Sequence, residues 1–261
     1  MADDKPKPKA ARKPSASPQK RAARRRRVSA VLPLLYHAHP DARCSLDFQT
    51  PLQLLVATIL SAQCTDVLVN KVTPKLFARY PDASAYAGAS QEELESYVAR
   101  TGFFRNKAKS IRSMAADLLE KHGGDVPRTM AELTSLAGVG RKTANVVLGN
   151  AFGTNVGVTV DTHVTRLANR LGWTEHETDA VKIEKDLIDV VPQDQWTMIS
   201  HLLIHHGRRV CRAQRPACEK CVLLEHCPTG PKVLKERAKT AKAAKAAKSV
   251  KAKKPPAATR G

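Results

Sequence analysis

The sequence has no apolar run near the roughly 20 residues that a membrane-crossing helix needs. Its longest, around residues 52–60 and 198–204, are far shorter. No apolar stretch follows Met1-Ala-Asp-Asp-Lys5, so a secretory leader is not expected and the chain reads as intracellular, at the nucleoid if its source is bacterial. Sustained period-two alternation is missing, which argues against a sheet-based core, and no globular repeat is present. Acidic residues are nearly missing from both ends. Residues 1–27 hold eleven Lys and Arg against Asp3 and Asp4, and residues 232–261 hold eleven against Glu236 alone. The formal charge of +20 is therefore a property of the termini, because residues 28–231 carry 22 basic and 21 acidic side chains.

Large apolar residues are scarce in the same terminal stretches, so 1–27 and 232–261 are expected to be disordered basic tails. The Ala/Lys run 238–248 is expected to turn helical against a polyanion. Such tails suit counterion-releasing attraction to nucleic acid, or a solubilising or import role.

Between the tails the chain repeatedly shows a helix start followed by apolar residues at three-to-four spacing. Thr50-Pro-Leu-Gln53, Ser90-Gln-Glu-Glu93 and Thr129-Met-Ala-Glu132 carry capping-box patterns. Further helical stretches are expected at 106–122, closed by Gly123-Gly124, and at 161–171, 178–191 and 195–207. The core is read as all-α.

One segment stands out: Leu136-Ala-Gly-Val-Gly-Arg-Lys-Thr-Ala-Asn145. Two glycines, Gly138 and Gly140, flank Val139 between one helix and the next. Both can take positive φ and allow close backbone approach, and Val139 can plug the space between the helices. The new helix then points free N–H groups outward, which seats phosphate; the bare pattern fits equally a turn that binds nothing. Lys142 lies in the first turn after it. An ordinary lysine is protonated at neutral pH and a poor nucleophile. The positive end of a helix and adjacent Arg141 both disfavour the ammonium. A surface lysine beside a phosphate is the other reading. Nineteen residues on, Val160-Asp-Thr-His163 opens another amphipathic run, so Asp161 is a helix cap, an acid or both.

Four of the six cysteines form Cys211-x6-Cys218-x2-Cys221-x5-Cys227. A reducing compartment argues against disulfides. The spacing leaves a structural zinc and an iron–sulfur cube both open. Cys44 and Cys64 are read as small buried residues. Arg208, Arg209, Arg212, Arg215 and Lys220 make the cysteine loop basic, whereas 175–194 is acidic.

Taken in order, the hairpin with its lysine, Val-Asp-Thr-His and the 6-2-5 cysteine spacing resemble the endonuclease III family of DNA glycosylases over about residues 30–230. Ala137 stands where the family usually has proline. The resemblance implies an all-α, two-domain helix-hairpin-helix fold: a continuous bundle over 45–154, and a discontinuous domain of 28–44 and 155–231. It implies a 4Fe–4S cluster on Cys211, Cys218, Cys221 and Cys227, whose basic loop, with Arg212, faces a phosphate backbone. Lys142 would attack the sugar and Asp161 would face it across the interdomain cleft, with His163 supporting Asp161 or simply packing. Gly138, Val139, Gly140 and Arg141 would contact DNA. A glycosylase must extrude its nucleotide and fill the gap. By resemblance Gln63 enters the emptied stack and Phe103 wedges the opposite strand, although Phe103 and Phe104 also suit core packing. Arg105, Lys107, Lys109 and Arg112 suit phosphate contact or a solvated helix face. The implied protein is a monomeric, bifunctional glycosylase and abasic-site lyase on double-stranded DNA carrying oxidised pyrimidines. An adenine-type glycosylase and a non-enzymatic DNA-binding hairpin protein are the alternatives.

Overall fold

The computed structural model describes residues 17–252, with side chains described as far as residue 244. Among these residues every regular element is helical: α1 Pro18–Ala38, α2 Pro51–Leu60, α3 Asp66–Arg79, α4 Ala83–Gly88, α5 Gln91–Val98, α6 Phe104–His122, α7 Met130–Ser135, α8 Arg141–Ala151, α9 Thr162–Arg170, α10 Ala180–Val190, α11 Trp196–Arg209 and α12 Gly230–Ala252. Single 3-10 turns lie at Ala99–Thr101, Gln193–Gln195, Cys218–Lys220 and Leu224–His226. No described helix is long and apolar enough to cross a membrane.

The helices start where their caps dictate. The Thr50 hydroxyl accepts from the Gln53 N–H at 3.2 Å, with Pro51 at the first helical position. Ser90 and Thr129 accept in the same way from Glu93 at 3.1 Å and Glu132 at 3.3 Å. Each bond satisfies a donor that a helix start leaves without an internal partner. Helix α6 stops where Gly123 takes φ +63, letting the Gly124 N–H reach back to the Leu118 carbonyl at 2.9 Å.

Two hydrophobic cores result. The first joins α2 to α8 around Leu54, Leu55, Ile111, Met114 and Leu148. Helix α2 is its centre: all seven residues from Leu54 to Leu60 are buried. The second core joins α1 to α9, α10 and α11 around Leu35, Trp173, Leu187 and Leu202. The chain lays down α1 on the second core, leaves to build the first, and returns at Val158.

The expectation of a disordered tail over 1–27 is corrected for residues 18–27, which form the first half of α1; residues 1–16 lie outside the described residues. The acidic segment supplies the reason. Arg24 is buried, with its guanidinium 3.5 Å from Asp186 and 3.2 Å from Glu175. Lys20 pairs with Glu175, Arg25 donates to the Asp189 carbonyl, and Arg27 to the carbonyls of Leu171 and Gly172. Of the six basic residues described in 18–27, four have partners in the acidic segment or the loop after α9. The expectation for 232–261 is likewise corrected: α12 is helical through residue 252, and residues 253–261 lie outside the described residues. Its Ala/Lys composition tolerates helix, and the Arg237 guanidinium reaches Glu219 at 3.4 Å.

Asp186 is 1 % exposed at its side chain and also accepts from the Thr174 hydroxyl at 2.8 Å. Removing Arg24 takes a cation away from a buried carboxylate, which is costly. Arg24→Ala is expected to cost about 3 kcal/mol in urea unfolding, whereas Arg26→Ala, on the exposed face, should stay within about 0.5 kcal/mol. Equal costs for the two would contradict a structural role for Arg24.

Candidate active site

An open cleft is lined by residues of both cores, including Lys142 and Asp161. Lys142 is the second residue of α8, after an N-cap, Gly140, that contributes no side chain. Its ammonium is exposed and has no hydrogen-bond or ion-pair partner among the described residues. Asp161 is the N-cap of α9: its Oδ1 accepts from the Val164 N–H at 2.8 Å. Its Oδ2 has no protein partner among the described residues. One carboxylate thus caps a helix and keeps an oxygen available. His163 lines the same cleft, but its Nδ1 faces the Arg166 guanidinium at 3.0 Å and burial lowers its pKa. It packs beside Asp161 and takes its hydrogen bond from Arg166.

The hairpin before α8 is built around one plug and one obligatory glycine. Val139 is buried, and its N–H donates to the Leu136 carbonyl at 3.2 Å. Gly138 takes φ +74, and a Cβ there would lie 2.8 Å from the Ser110 Cβ. Gly140 departs from the expectation of positive φ. It is extended, with φ −88, and nothing lies within 4 Å of where its Cβ would be. Its lack of a side chain leaves the α8 N-terminus uncovered. Arg141 keeps 47 % of its side chain exposed while its Nε donates to Glu184 Oε2 at 2.7 Å and its Nη2 to Oε1 at 3.0 Å. Asn145 adds a third bond to the same carboxylate at 2.9 Å. The Arg141 charge is already balanced, so it adds little to the field at Lys142.

Two short loops carry left-handed backbone, and the first, through Ser61 and Cys64, lines the cleft. Gln63 has φ +52 and Phe103 has φ +48, the two non-glycine residues in the left-handed region among the described residues. Such backbone is strained for a side chain larger than glycine and gathers at functional sites. Phe103 is 64 % exposed, which removes the core-packing reading for it, while Phe104 is half-buried against the first core. The basic helix face expected after Phe104 is corrected in part. Lys107 is buried, and Arg112 is half-buried with Nη1 donating to Gln91 at 3.3 Å.

Cys211, Cys218, Cys221 and Cys227 line a single pocket, and none forms a disulfide. Among the described residues no group of three or more Cys, His, Asp or Glu is arranged to hold one metal ion. The four thiols share the lining of one pocket, a donor set that suits either metal centre left open by their spacing. Burial pushes the Cys221 thiol up to about 11 and raises Cys218 as well. Donors already point at the sulfurs: Arg170 Nη1 to Cys211 at 3.3 Å and the Gly230 N–H to Cys227 at 3.3 Å. Arg170 also holds the carbonyls of Arg212 and Ala213, leaving the Arg212 side chain exposed. Cys44 and Cys64 are half-buried and line the cleft, and are not buried in the core.

The family model of the HhH-GPD superfamily of base excision DNA repair proteins matches residues 56–193. Endonuclease III of Synechocystis sp. (strain ATCC 27184 / PCC 6803 / Kazusa) is 54 % identical over 81 % of this chain and 96 % of its own length. Endonuclease III of Bacillus subtilis (strain 168) is 45 % identical over 74 % of this chain and 88 % of its own. This chain belongs to the endonuclease III family. A solved endonuclease III, trapped as a covalent intermediate with DNA, superimposes with a TM-score of 0.76 at 42 % identity, covering 80 % of this chain and 98 % of that one.

Within this endonuclease III scaffold, several cleft residues carry no sequence signal. Asn150 and His201 are 51 positions apart yet meet in the cleft at 2.7 Å. The Asn150 Nδ2 donates to the Val146 carbonyl at 2.8 Å, which fixes the amide orientation. Oδ1 therefore faces His201, and the imidazole must carry its proton on Nε2. The hint in the sequence was a histidine inside the apolar stretch 198–204. Arg208 and Asp66, joined at 2.7 Å, likewise tie α11 to α3.

Burial, followed by nearby His205, pushes His201 down to about 4. The unfolded imidazole takes up a proton near pH 6.5 while the folded one stays neutral, so this site's contribution to stability is lost as pH falls from about 6.5 to about 4. Between pH 7 and pH 4.5 the parent protein should lose about 2 kcal/mol more stability than His201→Gln, which keeps a donor for Asn150. Urea unfolding at the two pH values measures the difference, and parallel losses would refute the assignment.

Proposed function

We propose that this endonuclease III family member is a bifunctional DNA glycosylase and abasic-site lyase of base excision repair. It removes oxidised pyrimidines of the thymine-glycol type from double-stranded DNA and nicks the strand, working as a monomer at the nucleoid. The observation that carries this reading is the presence of Lys142 and Asp161, each at the N-terminus of a different helix, in one cleft between two cores.

The chemistry rests on those two groups. A flipped nucleotide brings its anomeric carbon to the neutral Lys142 amine, which forms the C–N bond as the C–N bond to the damaged base breaks. The base leaves with a proton. Positive charge that builds on the deoxyribose during this step is stabilised by the fixed Asp161 carboxylate, which also helps withdraw the lysine proton. The iminium linking Lys142 to the opened sugar acidifies the neighbouring C2′ proton. Its removal drives β-elimination of the 3′ phosphate, and water then frees the amine. Gln63 and Phe103 fill the gap left by the extruded nucleotide, and the uncovered α8 N-terminus at Gly138-Val-Gly140 holds the backbone phosphate. Arg212 contacts the phosphate backbone from the cysteine loop, and His163 packs behind Asp161.

Cys211, Cys218, Cys221 and Cys227 would hold a 4Fe–4S cluster. The group would supply cationic iron that favours four thiolates and would tie residues 211–227 into one shape. Purified protein should be brown and contain about four irons and four acid-labile sulfides per chain. Zinc at one equivalent, with no sulfide, would overturn the cluster.

On a duplex containing thymine glycol, borohydride should trap a covalent protein–DNA adduct, and Lys142→Ala should abolish it. An adduct that survives the substitution excludes Lys142 as the nucleophile. Asp161→Asn retains a good N-cap, so α9 should stay folded and DNA affinity should hold. Excision should fall by about 100-fold or more. Loss of affinity with an unchanged single-turnover rate would leave Asp161 a cap and nothing else.

A further inference from the structure

Lys107 lies on the fourth residue of α6 and is 6 % exposed. No carboxylate pairs with it among the described residues. Its Nζ donates to two backbone carbonyls, Leu60 at 2.8 Å and Thr101 at 2.7 Å. These are terminal carbonyls: Leu60 ends α2, and Thr101 ends the 3-10 turn Ala99–Thr101. Helix ends leave such carbonyls without internal partners and carry partial negative charge, so an ammonium is well matched to both at once. Burial lowers the lysine pKa, and the nearby Cys64 side chain opposes that shift.

The residues just beyond each carbonyl give the contact its meaning. Three positions after Leu60 stands Gln63, and two after Thr101 stands Phe103, the two left-handed non-glycine residues among those described. A single buried cation thus anchors the base of both strained loops. The loops are 40 positions apart in sequence and belong to different helix ends, and among the described residues no hydrogen bond runs directly between 61–65 and 102–103. We propose that Lys107 is a positioning residue that couples the two loops, so that Gln63 and Phe103 enter the duplex as one unit. This rests on the reading of Gln63 and Phe103 as the residues that fill the stack.

A double-mutant cycle on nucleotide extrusion tests the coupling. The full-length protein is mixed with a thymine-glycol duplex carrying 2-aminopurine beside the lesion, and the fluorescence rise gives the extrusion rate. With Lys107 present, Gln63→Ala and Phe103→Ala should be non-additive. The double variant should run roughly tenfold faster than the product of the single effects, the signature of residues acting together. In a Lys107→Met background the two effects should multiply independently. Borohydride crosslinking to an abasic site facing a one-nucleotide gap, where no opposing base has to be displaced, should change by less than about twofold in Lys107→Met. Independent effects in the presence of Lys107 overturn the proposal without recourse to any Lys107 variant. So does coupling that persists in Lys107→Met, or an equal loss on the paired and gapped substrates. If neither Gln63→Ala nor Phe103→Ala slows extrusion, the reading of the loops fails first, and the proposal falls with it for that separate reason.

Discussion

The chemistry proposed for this protein requires two helix N-termini from two separate hydrophobic cores to stay in register. Lys142 rides on α8 in the first core and Asp161 caps α9 on the second. Neither core alone would contain both groups of the proposed reaction centre. The register is held by polar ties between the cores: Arg141 and Asn145 on Glu184, His201 on Asn150, and Arg208 on Asp66. Each tie is directional, so together they restrict sliding that apolar packing by itself would tolerate. Glycine takes part in the same restriction. A side chain at Gly157 would collide with Glu184 and with Asn145, so the return of the chain to the second core passes directly over this tie.

Basic charge proves to have several uses that the total does not reveal. Arg24 neutralises a buried aspartate, Arg141 a buried glutamate, and Lys107 two helix ends. Arg170 supports the cysteine loop by its carbonyls and one sulfur. Arg24 and Lys107 are buried, and desolvated charge is tolerated only where partners surround it. Lys142 differs in being exposed and unpartnered among the described residues, which is what a nucleophile that must meet a sugar requires. The cysteine loop shows a related economy of position, with its four thiols walling one pocket directly after α11, the helix that also lends His201 and Arg208 to the cleft.

Strain marks the two loops in a comparable way. Left-handed backbone at a glutamine and a phenylalanine persists only where neighbouring structure over-determines it, and the carbonyls fixed immediately before each loop supply that constraint. The outer ends of the loops remain free, with Gln63 and Phe103 exposed.

Local chemistry settled much of this protein in advance. Capping at Thr50, Ser90, Thr129 and Asp161, the closing glycines after α6, and the plug at Val139 all depend on residues within a few positions of one another, so their pattern is visible along the chain. Membership of the family was visible for the same reason, since each of its motifs is short. The failures share the opposite property. Residues 18–27 looked like a tail because their acidic partners lie 155 and 162 positions away. Arg141 looked available because Glu184 is 43 positions on, and Lys107 looked solvated because Leu60 is 47 positions back. Whether a cation is exposed or buried depends on which distant groups surround it, and that is decided when the two cores close on each other.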